Sequence, residues 1–113
     1  TEKAVRRAGL DYWEHVDLRQ HDSFEDFLQQ QAPKELWFFT KYGRRPYYEA
    51  PFGTDSYLVF GSETTGLGEE FLMQHPEEQK LIIPMDEPAV RSLNLSNAVS
   101  IALYEARRQL VLL

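Results

Sequence analysis

Three short apolar runs, at residues 36–39 (Leu-Trp-Phe-Phe), 57–60 (Tyr-Leu-Val-Phe) and 81–83 (Leu-Ile-Ile), constrain this chain more than any other feature. In a strand with one face in water, apolar and polar residues alternate, because successive side chains point to opposite faces. These runs do not alternate, and they are too short for buried helices. They predict strands covered on both faces, the arrangement of a parallel sheet inside an α/β fold.

The segments between them read as helices. Ser23, with Asp26 three residues on, is close to a capping box, and Phe24, Phe27 and Leu28 then recur at helical spacing, which predicts a helix over about residues 23–31. Residues 69–74 are helix-like. After the third run, Leu95, Ala98, Val99, Ala102, Leu103, Ala106 and Leu110 fall on one helical face. Strands alternating with helices imply an α/β architecture with flanking helices. A length of 113 residues, with 42% hydrophobic and 13% aromatic residues, suits one core and one domain over residues 1–113, and no repeat or linker interrupts it.

Three polar loops, residues 40–43, 61–66 and 84–93, each follow the carboxyl end of a predicted strand. Open parallel sheets bind ligands at those ends, so the loops are expected to converge on one crevice. Gly61-Ser-Glu-Thr-Thr-Gly66-Leu67-Gly68 has the glycine spacing of a phosphate loop, but Leu67 stands where the phosphate-binding lysine belongs, which argues against a nucleotide triphosphatase. Its glycines fit either a close approach to a ligand or an ordinary strand-to-helix turn. Glu63 fits either a hydrogen-bond acceptor or a solvated carboxylate. The segment Arg91-Ser-Leu-Asn-Leu-Ser-Asn97 opens the last helix with more polar groups than one N-cap at Ser92 or Asn94 requires, and the surplus favours a ligand site at a helix amino terminus. Ser96, Ala98, Ser100, Ala102 and Ala106 would let a second element approach that helix closely, whether in the core or across a dimer interface.

Composition removes several classes of function. Without cysteine there is no disulfide or thiolate chemistry, and His15, His21 and His75 lack metal-ligand spacing, so no metal is expected. No nucleophile elbow or recognisable triad is present. No apolar run is long enough to span a bilayer, and an intracellular, cytoplasmic protein without membrane contact is expected. A net charge of −6 repels polyanions as a whole, so a nucleic acid must be met by local patches. Lys3, Arg6 and Arg7 form one such cluster. Lys41, Arg44 and Arg45, beside Tyr42, Tyr47 and Tyr48, form a second, and Arg107 with Arg108 a third.

Taken together and in order, Arg6-Arg-Ala-Gly-Leu-Asp-Tyr12, Phe60-Gly-Ser-Glu-Thr-Thr-Gly66, Ile83-Pro-Met85, Arg91-Ser-Leu-Asn-Leu-Ser-Asn-Ala-Val99 and Tyr104-Glu-Ala106 resemble the SPOUT-class tRNA ribose 2′-O-methyltransferases of the TrmL/YibK type. The resemblance runs from about Arg6 to Gln109. It implies a SPOUT fold with a carboxyl-terminal trefoil knot, a homodimer, and transfer of a methyl group from S-adenosylmethionine to the 2′-hydroxyl of the tRNA wobble nucleotide, cytidine or a modified uridine, leaving S-adenosylhomocysteine. Carried over by position, it places Phe39, Gly61, Ile83, Met85, Ser92 and Leu93 around the cofactor. It gives Ser92, Asn94 and Asn97 the arrangement of cofactor and substrate, and makes Arg6, Arg7, Glu63, Arg91 and Tyr104 candidates for RNA contact or loop structure. The family's amino-terminal strand-helix-strand unit, with its asparagine-x-glycine-x-x-x-arginine motif, is absent, so the expectation is an amino-terminally truncated chain of weak or no activity by itself. Alternatives within reach are a SpoU-like enzyme on rRNA or another tRNA position, and a non-catalytic cofactor- or RNA-binding protein.

Overall fold

A computed structural model of the chain describes residues 17–85 and 94–112. The Arg6 to Tyr12 block, with Arg6 and Arg7, and the loop positions Arg91, Ser92 and Leu93 lie outside the described residues. The chain divides after Ala32 into two compact units.

In the first unit, helix α1 spans Phe24–Gln31. The Ser23 hydroxyl accepts the Asp26 N–H at 3.1 Å, the cap anticipated from sequence. Ala32 ends the helix in the left-handed conformation at φ 45°, donating its N–H to the Leu28 carbonyl, and Pro33 then blocks any continuation.

The second unit is built on strands β1 (Glu35–Phe39), β2 (Arg45–Pro46), β3 (Ser56–Val59) and β4 (Lys80–Ile82), with helices α2 (Glu69–Met73) and α3 (Leu95–Arg107). The strands form one parallel sheet in the order β2-β4-β1-β3. Successive residues of β1 explain why its apolar run is unbroken. Trp37 and Phe39 join Ala50, Phe52, Leu81, Ala102 and Ala106 in one buried cluster. Phe38, fully buried, points the other way onto Phe71 of α2 and His75, with ring centroids 5.6 and 4.2 Å away. The sheet is therefore covered by α3 on one face and α2 on the other.

β2 is an element that the apolar pattern did not reveal, because its two residues are arginine and proline. Tertiary fit places it. Gly43 lies against β4 so closely that a Cβ there would come 2.7 Å from the Leu81 carbonyl carbon. Pro46 is tolerated because β2 is an edge strand. The Arg45 guanidinium donates to the Glu78 and Glu49 carbonyls at 3.1 Å each and lies over the Trp37 ring, which commits this residue to structure.

Charges near the sheet are satisfied locally. Lys80 buries its stem and donates to Glu77 at 2.8 Å, which holds the Glu77 carboxyl below the usual carboxylate range. Burial, followed by the nearby Lys80 charge, pushes the His75 imidazole below its ordinary value.

α3 begins at its Asn94 cap, whose Oδ1 accepts the N–H groups of Ser96 and Asn97 at 2.9 and 3.2 Å and the Ser96 hydroxyl at 2.9 Å. Beyond the helix, the Gln109 side-chain amide accepts the Phe52 N–H and donates to the Ala50 carbonyl, both at 2.9 Å. That pair of bonds ties the chain end to the loop behind β2. The Phe52 N–H and Ala50 carbonyl also bond each other at 3.1 Å, so Gln109→Ala removes two of the three hydrogen bonds that hold this turn. A loss of roughly 1–3 kcal/mol is expected, read as a lower urea midpoint at unchanged slope, whereas an unchanged midpoint would show that water replaces the amide.

Candidate functional site

The carboxyl ends of β1, β3 and β4 open onto one crevice of about 400 Å³ in the second unit. Residues 40–42 after β1, residues 60–68 after β3, and Ile82, Ile83 and Met85 at the end of β4 line it, with Leu72 and Ala98 contributed by the two flanking helices. Of the three loops expected from sequence, residues 61–66 meet there in full and the first through residues 40–42. The third meets it through Met85, before the chain leaves the described residues.

The loop after β3 is closed on itself. Ser62 and Gly66 exchange backbone hydrogen bonds of 3.2 and 3.0 Å in an isolated antiparallel bridge. The Ser62 hydroxyl also accepts the Thr65 N–H at 3.1 Å and shares a 2.8 Å bond with the Thr65 hydroxyl. Gly66 takes φ 66° to make the turn. Gly61 is required for a different reason, since a Cβ there would stand 2.0 Å from the Gly66 carbonyl carbon and 2.3 Å from the Leu67 nitrogen. Side chains are excluded at Gly61 by its own loop before any ligand arrives.

Under the loop, Phe39 and Phe60 stack with centroids 4.6 Å apart and 13° between planes, and Ile83 packs against the same cluster. The crevice therefore has an apolar floor and a rim of backbone amides, hydroxyls and two charged groups, Lys41 and Glu63. Such a site suits a ligand with a flat apolar part and a polar, zwitterionic part.

Of the residues singled out in the sequence, Phe39, Gly61, Ile83, Met85 and Glu63 line this crevice. Glu63 is exposed and makes no hydrogen bond or ion pair among the described residues. Asn94 caps α3, and Asn97 is exposed on its first turn. Tyr104 is 65% exposed with the Arg107 guanidinium over its ring at 5.5 Å. Arg108 of the third basic cluster is engaged with Glu105 at 2.9 Å. Sequence reasoning named Leu67 and Ala98 but did not assign them to the site, although a small residue in the first turn of a helix facing the crevice was a usable signal. Among the described residues no group of His, Asp and Glu is placed to hold a metal ion, and no helix is long and apolar enough to cross a membrane.

Known proteins share this arrangement. The profile of the SpoU rRNA Methylase family matches residues 1–104. The chain belongs to this family. This SpoU-family chain is 46% identical over 109 residues to the tRNA (cytidine(34)-2'-O)-methyltransferase of Saccharophagus degradans, covering 96% of the present chain and 70% of that one. It is 44% identical to the enzyme of the same name from Escherichia coli K12, covering 96% and 69%. A solved structure concerned with the 2-OH methylation of C/U34 on tRNA superposes with a TM-score of 0.80 at 52% identity, covering 92% of this chain and 66% of that one. The SpoU-family chain spans about two thirds of the length of the curated relatives it matches here, from 59 to 70%.

Proposed function

We propose that the crevice binds S-adenosylmethionine and that the protein methylates the ribose 2′-hydroxyl of tRNA nucleotide 34, a cytidine or uridine, as its relatives' names describe. The observation that carries this reading is the crevice itself, apolar in its floor and backbone-rich at its rim, at the carboxyl ends of three parallel strands of a methyltransferase-family chain. When bound, the cofactor supplies an electrophilic sulfonium methyl.

The protein's own part is positioning. Phe39, Ile83 and Met85 supply apolar walls, and the closed loop from Gly61 to Gly68 presents backbone groups at a fixed place. Ser92 and Leu93 are assigned to the same site by position in the sequence. Asn94 spends its carbonyl oxygen on the cap, which leaves its side-chain N–H groups to donate, and Asn97 stands beside it on the first turn. Ser92, Asn94 and Asn97 are assigned by position in the sequence to hold the reactants, although neither Asn94 nor Asn97 is among the residues lining the crevice. A neutral hydroxyl must be aligned within about 3 to 3.5 Å of the carbon it attacks and relieved of its proton, so alignment is one contribution these residues make.

The protein works as a homodimer in this reading, in the cytoplasm where its tRNA substrate is found. α3 and the following turn expose Val99 (37%), Leu103 (48%) and Leu110 (43%), an apolar stripe that the sheet leaves uncovered. Leu103→Glu is expected to give a monomer by analytical ultracentrifugation with the fold retained, whereas a dimer of unchanged affinity would place the interface elsewhere. For the activity, incubation with labelled S-adenosylmethionine and unmodified tRNA is expected to yield a methylated ribose that resists alkaline cleavage on its 3′ side. Label confined to bases would overturn the proposal.

A further inference from the structure

Lys41 and Tyr42 stand at the mouth of the crevice and are not used by the chemistry above. Tyr42 is 64% exposed, yet the backbone beneath it is fixed. Its N–H donates to the Thr40 hydroxyl at 3.2 Å, the Gly43 N–H donates to the Thr40 carbonyl at 3.1 Å, and Gly43 is wedged against the backbone of β4. The Lys41 ammonium lies 5.2 Å from the Tyr42 ring centroid. An exposed aromatic ring on a rigid pedestal, with a cation beside it and continuous with a ligand crevice, has the parts of a stacking platform for a nucleotide: the ring for the base, the cation for a phosphate.

Electrostatics supports the same occupant. The chain carries a net charge of −6, Arg45 is committed to backbone carbonyls, and Arg108 is paired with Glu105. Among the described residues that line the crevice, Lys41 is the cation, so in a chain of net negative charge it is the local point of attraction for a phosphate.

We infer that Tyr42 stacks on a nucleobase of the RNA substrate at the mouth of the crevice while Lys41 meets an adjacent phosphate, so that this pair positions the nucleotide whose ribose is modified. The inference rests on the methyltransferase reading for the identity of the RNA, but its test does not depend on turnover. An anticodon stem-loop RNA carrying pyrrolocytosine, a fluorescent cytosine analogue quenched by stacking, at nucleotide 34 is titrated with the protein and with Tyr42→Ala, Tyr42→Phe and Tyr42→Trp. Tyr42→Ala is expected to weaken binding roughly tenfold and to remove the quench. The phenylalanine and tryptophan variants keep both, because stacking needs the ring and not the hydroxyl. Equal RNA affinity and equal quench in Tyr42→Ala overturns the platform, as does an effect of Tyr42→Ala on dimer dissociation alone. Tyr42-dependent RNA binding without any methyl transfer leaves the platform standing and removes the reaction assigned to the crevice.

Discussion

Gly61→Ala is expected to abolish binding of the proposed cofactor and to lower the stability of the second unit by roughly 3 kcal/mol or more. A Cβ at Gly61 overlaps backbone atoms of Gly66 and Leu67 at 2.0 to 2.3 Å, and backbone cannot swing aside as a side chain can. The loop has to open, breaking the Ser62–Gly66 bridge that shapes one wall of the crevice. Gly66→Ala is the informative comparison. Its φ of 66° costs an alanine only about 1–2 kcal/mol, and a Cβ there meets nothing within 4 Å. Calorimetric titration with S-adenosylmethionine, together with thermal melts, separates the two variants. Wild-type affinity in Gly61→Ala would show that loop closure does not build the site.

Phe38→Ala is expected to cost roughly 3–5 kcal/mol, a large share of the 5–15 kcal/mol by which a typical domain is stable. Phe38 is fully buried in the central part of the sheet and is the side chain on which Phe71 and His75 pack. Its removal leaves a cavity that rigid strand backbones on either side cannot close, and it unseats α2, the element that follows the crevice loop. Phe38→Leu keeps most of the volume and should fall well short of that loss. Urea denaturation of the three proteins reads this directly, and similar midpoints for Phe38→Ala and wild type would mean that α2 does not depend on the contact.

The fold was legible in the sequence where unbroken apolar runs mark strands, as in β1, β3 and β4, although β3 lies at the sheet edge with its four residues only partly buried rather than covered on both faces, and wherever a cap had a side chain to mark it, as at Ser23 and Asn94. β2 was not legible, because Arg45 and Pro46 carry no apolar signal and are held by the fit of Gly43 against β4. The apolar face of α3 was read correctly as a stripe, but the sheet covers only part of it, burying Ala102 and Ala106 while Val99 and Leu103 stay exposed. Periodicity reports which residues share a face and not what covers them. The crevice was legible to the extent that loop positions follow strand ends. The reason for Gly61 was not, since a glycine required by its own loop and one required by a ligand look alike in sequence. Basic clusters were the least informative signal, because Arg45 and Arg108 turned out to serve neighbouring protein groups.

The central claim is that the acceptor is one particular hydroxyl. Two tRNAs identical except for a 2′-deoxyribose at nucleotide 34 of one are offered to the protein with labelled S-adenosylmethionine. The account predicts label in the all-ribose tRNA and none in the deoxy-substituted one, whereas equal labelling of both would contradict it.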